Sequence, residues 1–255
     1  MSEAARHGAG GREEERDRER LQLLQIGTVV EVQERAARAR GEKSQKGRQA
    51  RDAHEALQIT GAGGFHAPDS CAYVDLRGAI NDAIAASSYH NAGRWCAEGI
   101  PPAQFAGSEE VQVWNATVLS ATQELAARNL VPGALNFASA RNPGGGFTTG
   151  ASAQEESIAR SSALYPCLTK HFDSFFVPSR RARSGAYTHD MILSPRVPVF
   201  RNDAGRLLET PYLVDFLTAA APNVGAMRQE YGANAAAEAE LVLRERITCV
   251  CVCYT

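Results

Sequence analysis

The sequence lacks the motifs that announce the commonest chemistries, and each absence removes a class. No run of about 18 apolar residues occurs, so no membrane-spanning helix is expected. The amino terminus, Met1-Ser2-Glu3-Ala4-Ala5-Arg6, leads into charge rather than the apolar segment of a secretory signal. No charge of one sign dominates: 27 basic against 29 acidic residues leave a formal net charge of -2. That balance argues against direct DNA binding as the main business of the chain. Six cysteines in 255 residues, with Cys71, Cys96 and Cys167 widely scattered, do not make a disulfide framework. A reducing compartment, cytoplasm or nucleus, is therefore expected. The six histidines include no HExxH pair and no other ligand spacing, so no metal is expected. A G-x-S-x-G elbow is missing, which leaves a serine hydrolase unsupported.

Two nucleotide motifs fail in an instructive place. A phosphate-binding P-loop needs Gly-Lys-Ser/Thr after its spacer, yet no lysine lies between Arg141 and Thr169. A dinucleotide fingerprint needs G-x-G-x-x-G, but after Gly144 and Gly146 the next glycine, Gly150, comes one position late.

What does stand there is Asn142-Pro143-Gly144-Gly145-Gly146-Phe147, and downstream Ser152-Ala153-Gln154-Glu155-Glu156. The apolar segment Gly133 to Ala138 predicts a strand running into a loop with almost no side-chain bulk, where a ligand can approach the backbone. Ser152-Ala153-Gln154-Glu155 fits a capping box with Ser152 as N-cap and Glu155 at the third helical position, so a helix is expected from about Ala153 to Pro166. A helix N-terminus beside bare backbone suits a diphosphate. Adjacent carboxylates would repel that anion unless they serve another purpose, and a sugar-cleaving site fits them better.

Along the rest of the chain strands and helices alternate, an α/β pattern. Arg12 to Arg40 reads as a charge-rich helix, with its charges as a solvated face. Gly41 to Gly64 reads as a low-order linker; its Lys43, Lys46, Arg48 and Arg51 could touch polymer phosphates or nucleic acid, with a solvated linker the favoured reading. Strands are expected at Tyr73–Leu76, Val111–Trp114 with Trp114 in the core, Leu135–Phe137, Met191–Leu193, Val197–Phe200 and Tyr212–Thr218. Helices are expected at Arg77–Ser87, Thr117–Asn129 and Asn234–Ile247. The final Cys249-Val250-Cys251-Val252-Cys253 alternates like a strand, and as a metal site its spacing is weak. This divides the chain into a helical extension and linker, 1–70, and a catalytic domain, 71–255.

The run from Asn136 to Phe147 followed by Gln154-Glu155-Glu156 resembles the signature of the microbial-type poly(ADP-ribose) glycohydrolases, three glycines and then QEE after a short spacer. Ile192 to Arg201 and Phe216 to Asn223 resemble further blocks of that family, so the likeness covers roughly 72–247. It implies a macrodomain-like mixed sheet between helices. In the family a further strand and a glycine-rich loop follow the position of Ile247, so that C-terminal part of the fold is expected to be missing here.

The resemblance also implies roles. Glu156 would be the general acid/base for exo-type hydrolysis of the ribose–ribose O-glycosidic bond, releasing ADP-ribose, and Glu155 would hydrogen-bond the distal ribose. Gly144, Gly145, Gly146 and Phe147 would lie at the ligand, with the glycine N–H groups holding the diphosphate, Asn142 as a ribose contact and Gln154 as a helper. No cofactor is implied, and the partners would be poly(ADP-ribose), poly(ADP-ribosyl)ated proteins and ADP-ribose, met as a monomer. The helix dipole lowers the pKa of a first-turn carboxyl, so Glu156 is expected to gain its proton mainly when ligand is bound. The alternative is an ADP-ribose-binding module with little or no turnover.

Overall fold

The computed structural model describes residues 45–91, 112–182 and 184–253. The expected helix at 12–40 lies outside them. Helix α1, Gln45–Ala62, occupies the segment expected to be a low-order linker. Its buried side chains are Ala53, Ala56 and Ile59, three residues apart. A stripe this small hardly registers as amphipathic, yet small residues are what let a helix lie close to other backbone. The added Cβ of any residue at Gly150, whose φ is +78°, would come within 2.3 Å of the Lys46 carbonyl oxygen, so α1 rests directly on the chain leaving the glycine turn.

After α1 come a two-stranded hairpin, β1 Gly64–His66 and β2 Tyr73–Asp75, then helix α2, Arg77–Ala86. The main sheet contains β3 Ser88–His90, β4 Gly133–Ala138, β5 Met191–Arg201 and β6 Leu207–Ala220, in the order β3-β5-β6-β4. The β3–β5 and β5–β6 pairs are antiparallel and β4–β6 is parallel, so the sheet is mixed. β5 merges the two short strands expected at 191–193 and 197–200; the register shifts between Ser194 and Val197, and this bulge absorbs the irregularity around Pro195 and Arg196. A turn at 202–205 joins β5 to β6, closed by Asn202 and Arg206.

Helix α3, Val118–Ala127, has Thr117 as its N-cap. Helices α4, Gln154–Ser161, and α5, Leu164–Thr169, pack on one face of the sheet, where Ile158, Leu164 and Leu168 meet Val197, Val199, Phe200 and Phe216. Pro166 does not end the first of these. It falls in the first turn of α5, where its missing N–H costs nothing. The break comes at Ser162, which bridges to Val199 in an extended conformation.

Past a short α6, Val177–Arg181, and α7, Val224–Tyr231, the last helix α8, Ala235–Cys253, covers part of the other face. Cys249 is buried against Met191, Leu217 and Ala219. The alternating cysteine run is thus helical, not a strand: apolar contact with the sheet overrides a period-2 pattern. Trp114 is the other correction. Residues 112–114 form no strand, and the indole is exposed, with the Arg128 guanidinium 5.5 Å from its ring centre. No helix among the described residues is long and apolar enough to cross a membrane.

Candidate active site

The site is assembled at the C-terminal end of β4, the edge strand that lies parallel to β6. Beyond Ala138 the chain turns through the three glycines and a single 3-10 turn, Phe147–Thr149, before α4 begins. The N-cap of α4 is Ala153, not Ser152, and Glu156 rather than Glu155 stands at the third helical position. An alanine offers no side-chain acceptor. Only the return half of the expected box forms, Glu156 Oε2 accepting from Ala153 N at 3.1 Å.

Three consecutive side chains of the first helical turn all reach back to the incoming chain. Gln154 Oε1 accepts from Phe137 N at 2.8 Å while its Nε2 donates to the Leu135 carbonyl at 2.7 Å, so one amide satisfies two groups on the edge of β4 as a neighbouring strand would. Glu155 accepts from Ser139 N at 2.7 Å and from Gly144 N at 3.1 Å. Glu156 accepts from Gly146 N at 2.9 Å as well as from Ala153 N.

Between the two carboxylates sits Gly145, with φ of +59°. A Cβ there would lie 2.3 Å from Glu156 Oε1 and 3.0 Å from Glu155 Oε2. Glycine is required on both counts, the left-handed backbone and the contact. The carboxylates are 3% and 9% exposed for Glu155 and Glu156, so they face the turn and not bulk water.

Burial pushes the Glu155 carboxyl up to about 8, with the adjacent Glu156 charge adding to the rise, while the Ser139 and Gly144 N–H groups and the Asn136 amide pull it down. At neutral pH the pair therefore carries a proton. Asn136, which the sequence did not single out, is fully buried beneath this pair and donates to Thr218 Oγ1 at 3.2 Å. Arg160 was also missed. One turn beyond Glu156 on the same helix, it is 6% exposed, donates to the Ala151 carbonyl and Ser157 Oγ, and lies close enough to Glu156 for mutual attraction. The i,i+4 spacing of Glu156 and Arg160 was the available signal.

Other expected site residues are placed differently. All three glycine N–H groups are already engaged, Gly144 and Gly146 by the carboxylates and Gly145 by the Asn142 carbonyl at 3.0 Å, so the turn does not present an open N–H cradle. The Phe147 ring is 2% exposed and packs under the turn with Ala53, Ala159 and Tyr165; its job is to anchor the loop to α1 and α4. Asn142 is exposed at the rim, and its Oδ1 accepts from Arg180 at 3.2 Å.

Paired, water-shielded carboxylates pressed against a bare turn at the crest of an α/β sheet define a candidate sugar-bond hydrolase. The comparisons with known proteins make that class specific. Residues 53–202 match the family described as microbial-type PARG, catalytic domain. The crystal structure of poly(ADP-ribose) glycohydrolase from Thermomonospora curvata is 37% identical, with a TM-score of 0.73 over 80% of this chain and 74% of that one. The same enzyme bound to the inhibitor ADP-HPD gives 36% identity and 0.71 over 80% and 73%. The Deinococcus radiodurans poly(ADP-ribose) glycohydrolase in complex with ADP-ribose gives 35% identity and 0.61 over 70% and 71%. A search of curated proteins gives no match. The chain belongs to the microbial-type poly(ADP-ribose) glycohydrolase catalytic-domain family.

Proposed function

We propose that this protein is an exo-acting poly(ADP-ribose) glycohydrolase that cleaves the ribose–ribose O-glycosidic bond and releases ADP-ribose, with Glu156 as general acid/base. The observation that carries the reading is the pair of buried carboxylates held side by side against Gly145. In the reaction the Glu156 carboxyl gives its proton to the leaving ribose oxygen as the anomeric C–O bond breaks. Water then adds to the anomeric carbon, and its proton returns to the Glu156 carboxylate.

Glu155 orients the ribose. With its carboxyl raised to about 8 it holds the pair's proton in the free protein at neutral pH, which leaves Glu156 beside a neutral neighbour. Arrival of a diphosphate adds negative charge beside the carboxylates and removes water. The ADP-ribose seen with the Deinococcus relative and the inhibitor bound to the Thermomonospora relative support this ligand class. The ligands in solution would be poly(ADP-ribose) and poly(ADP-ribosyl)ated proteins.

The test is release of ADP-ribose from poly(ADP-ribosyl)ated protein by the natural chain and by Glu156→Ala, with ADP-ribose binding measured on both. The natural chain is expected to release ADP-ribose and the variant to lose about 10²–10⁴ of the rate while still binding. Release that survives the substitution would overturn the assignment. Binding without release by the natural chain would make it a reader.

A further inference from the structure

The stretch of α4 beyond Glu156 borders a second feature that the glycoside chemistry does not use. A cavity of about 530 Å³ lies between α1, α4 and the β5–β6 turn. Four arginines line it, Arg48 and Arg51 from α1, Arg160 from α4 and Arg201 at the end of β5, against two acidic residues, Asp52 and Asp203. One acid is already committed: Asp203 accepts from Thr117 Oγ1 at 2.6 Å. Gln45, Gln49, Ser157 and Ser161 add neutral hydrogen-bonding groups around the arginines.

The arginines divide into two kinds. Arg160 and Arg201 are 6% and 1% exposed and are fixed by backbone carbonyls and by Glu55, yet Arg201 Nε is buried without a hydrogen-bond partner among the described residues. Arg48 and Arg51 are three apart on the same helix face and form no salt bridge or hydrogen bond among the described residues; Arg51 is only attracted by Asp52. Two guanidinium groups without partners among the described residues, over two fixed ones, outnumber Asp52, Asp203 and Glu55 and leave the cup positive. Planar donors in that arrangement match the oxygens of phosphate groups.

We propose that this cavity is a diphosphate-binding subsite, separate from the carboxylate pair and filled by the diphosphate of an ADP-ribosyl ligand. Two sources share that chemistry: a polymer unit beyond the one being cleaved, and free ADP-ribose. Ser157 and Arg160 in the cavity wall lie one and four residues beyond Glu156 on α4, a separation of at most roughly 6 Å along the axis. The polymer arm of this inference rests on the glycohydrolase reading, while anion binding itself does not.

The experiment titrates inorganic pyrophosphate into the natural chain, the double variant Arg48→Ala/Arg51→Ala and the double variant Arg48→Lys/Arg51→Lys by calorimetry, with thermal melting as a control for folding. The alanine variant is expected to melt like the natural chain and to bind pyrophosphate about tenfold or more weakly, and the lysine variant to recover part of that loss. A rise in KM confined to long polymer identifies the polymer source. A fall in ADP-ribose stoichiometry from two to one identifies the free nucleotide. Equal pyrophosphate affinity in the natural chain and the alanine variant, or no binding to the natural chain, overturns the proposal. So does weaker pyrophosphate binding with neither KM nor stoichiometry altered, which would mean an adventitious anion site only. Absence of ADP-ribose release from all three proteins, with the fall in ADP-ribose stoichiometry still seen, would refute the glycohydrolase reading and leave the subsite standing.

Discussion

Two successive stretches of one short helix carry opposite charge. The first turn of α4 holds Glu155 and Glu156 against a turn of bare backbone, and both carboxylates consume that turn's N–H groups. Further along, Ser157, Arg160 and Ser161 line a cavity rich in arginine. Eight residues thus hold both an acidic site and one wall of a basic cavity. The difference teaches where an anion is welcome. Near the carboxylates the macrodipole and the N–H groups are already spent on acid side chains, so a diphosphate needs compensation from elsewhere, and guanidinium groups line the adjoining cavity.

The most severe way to break the acidic side leaves both acids in place. Gly145→Ala puts a methyl group 2.3 Å from Glu156 Oε1 at a φ of +59°, so the turn or the carboxylate must move. Loss of at least about 10²-fold in ADP-ribose release is expected, because a displacement of about 1 Å costs that much in an oriented site. Pyrophosphate binding to the arginine cavity should survive. Near-natural release from a folded Gly145→Ala protein would show that the close approach has no catalytic meaning.

A pH series sharpens the same side. The Glu155 carboxyl is raised from 4.5 to about 8 in the folded state, so between those values the native state binds more protons than the unfolded one. Its contribution to stability is therefore fully present below about pH 4.5 and is lost as pH rises to about 8. That loss is of order a few kcal/mol at most. Thermal melting of Glu155→Gln should show a markedly flatter decline from pH 5 to pH 8 than the natural chain; parallel declines would place the titration elsewhere.

The smallest expected effect is on the Gln154 amide at the edge of β4. Gln154→Ala removes one amide that serves Phe137 N and Leu135 O, leaving an edge-strand pair to water, and should cost about 1–2 kcal/mol in denaturant unfolding. An unchanged midpoint would mean that solvent replaces the amide without penalty.

Much of the site was legible in the chain because its parts are local. The strand at Gly133–Ala138, the glycine turn and the acid pair at a helix start all lie within about two dozen residues, and each follows from short-range rules. Their hydrogen-bond partners did not follow. A capping box centred on Ser152 and one centred on Ala153 differ by a single residue, yet the choice decides that Glu156 binds back to the N-cap. Likewise the glycine N–H groups looked open in sequence, because their acceptors are side chains ten and eleven residues away in a direction only the fold defines.

Elsewhere the reading failed where packing overrides composition. The polar, basic stretch that forms α1 has too small a buried stripe to announce itself, Ala53, Ala56 and Ile59, and needs the glycine turn beneath it. Trp114 illustrates the converse, a large apolar residue that packs on an arginine at the surface. The Cys-Val alternation lies within a helix because Cys249 meets the sheet's second face.

The central claim is that Glu156 delivers a proton to a poor leaving group, and leaving-group dependence tests it most directly. Glu156→Gln would be compared with the natural chain on poly(ADP-ribose) and on an ADP-ribosyl substrate whose aryl leaving group departs without protonation. The account predicts a loss on polymer at least about tenfold larger than the loss on the activated substrate. Equal losses on both would contradict it.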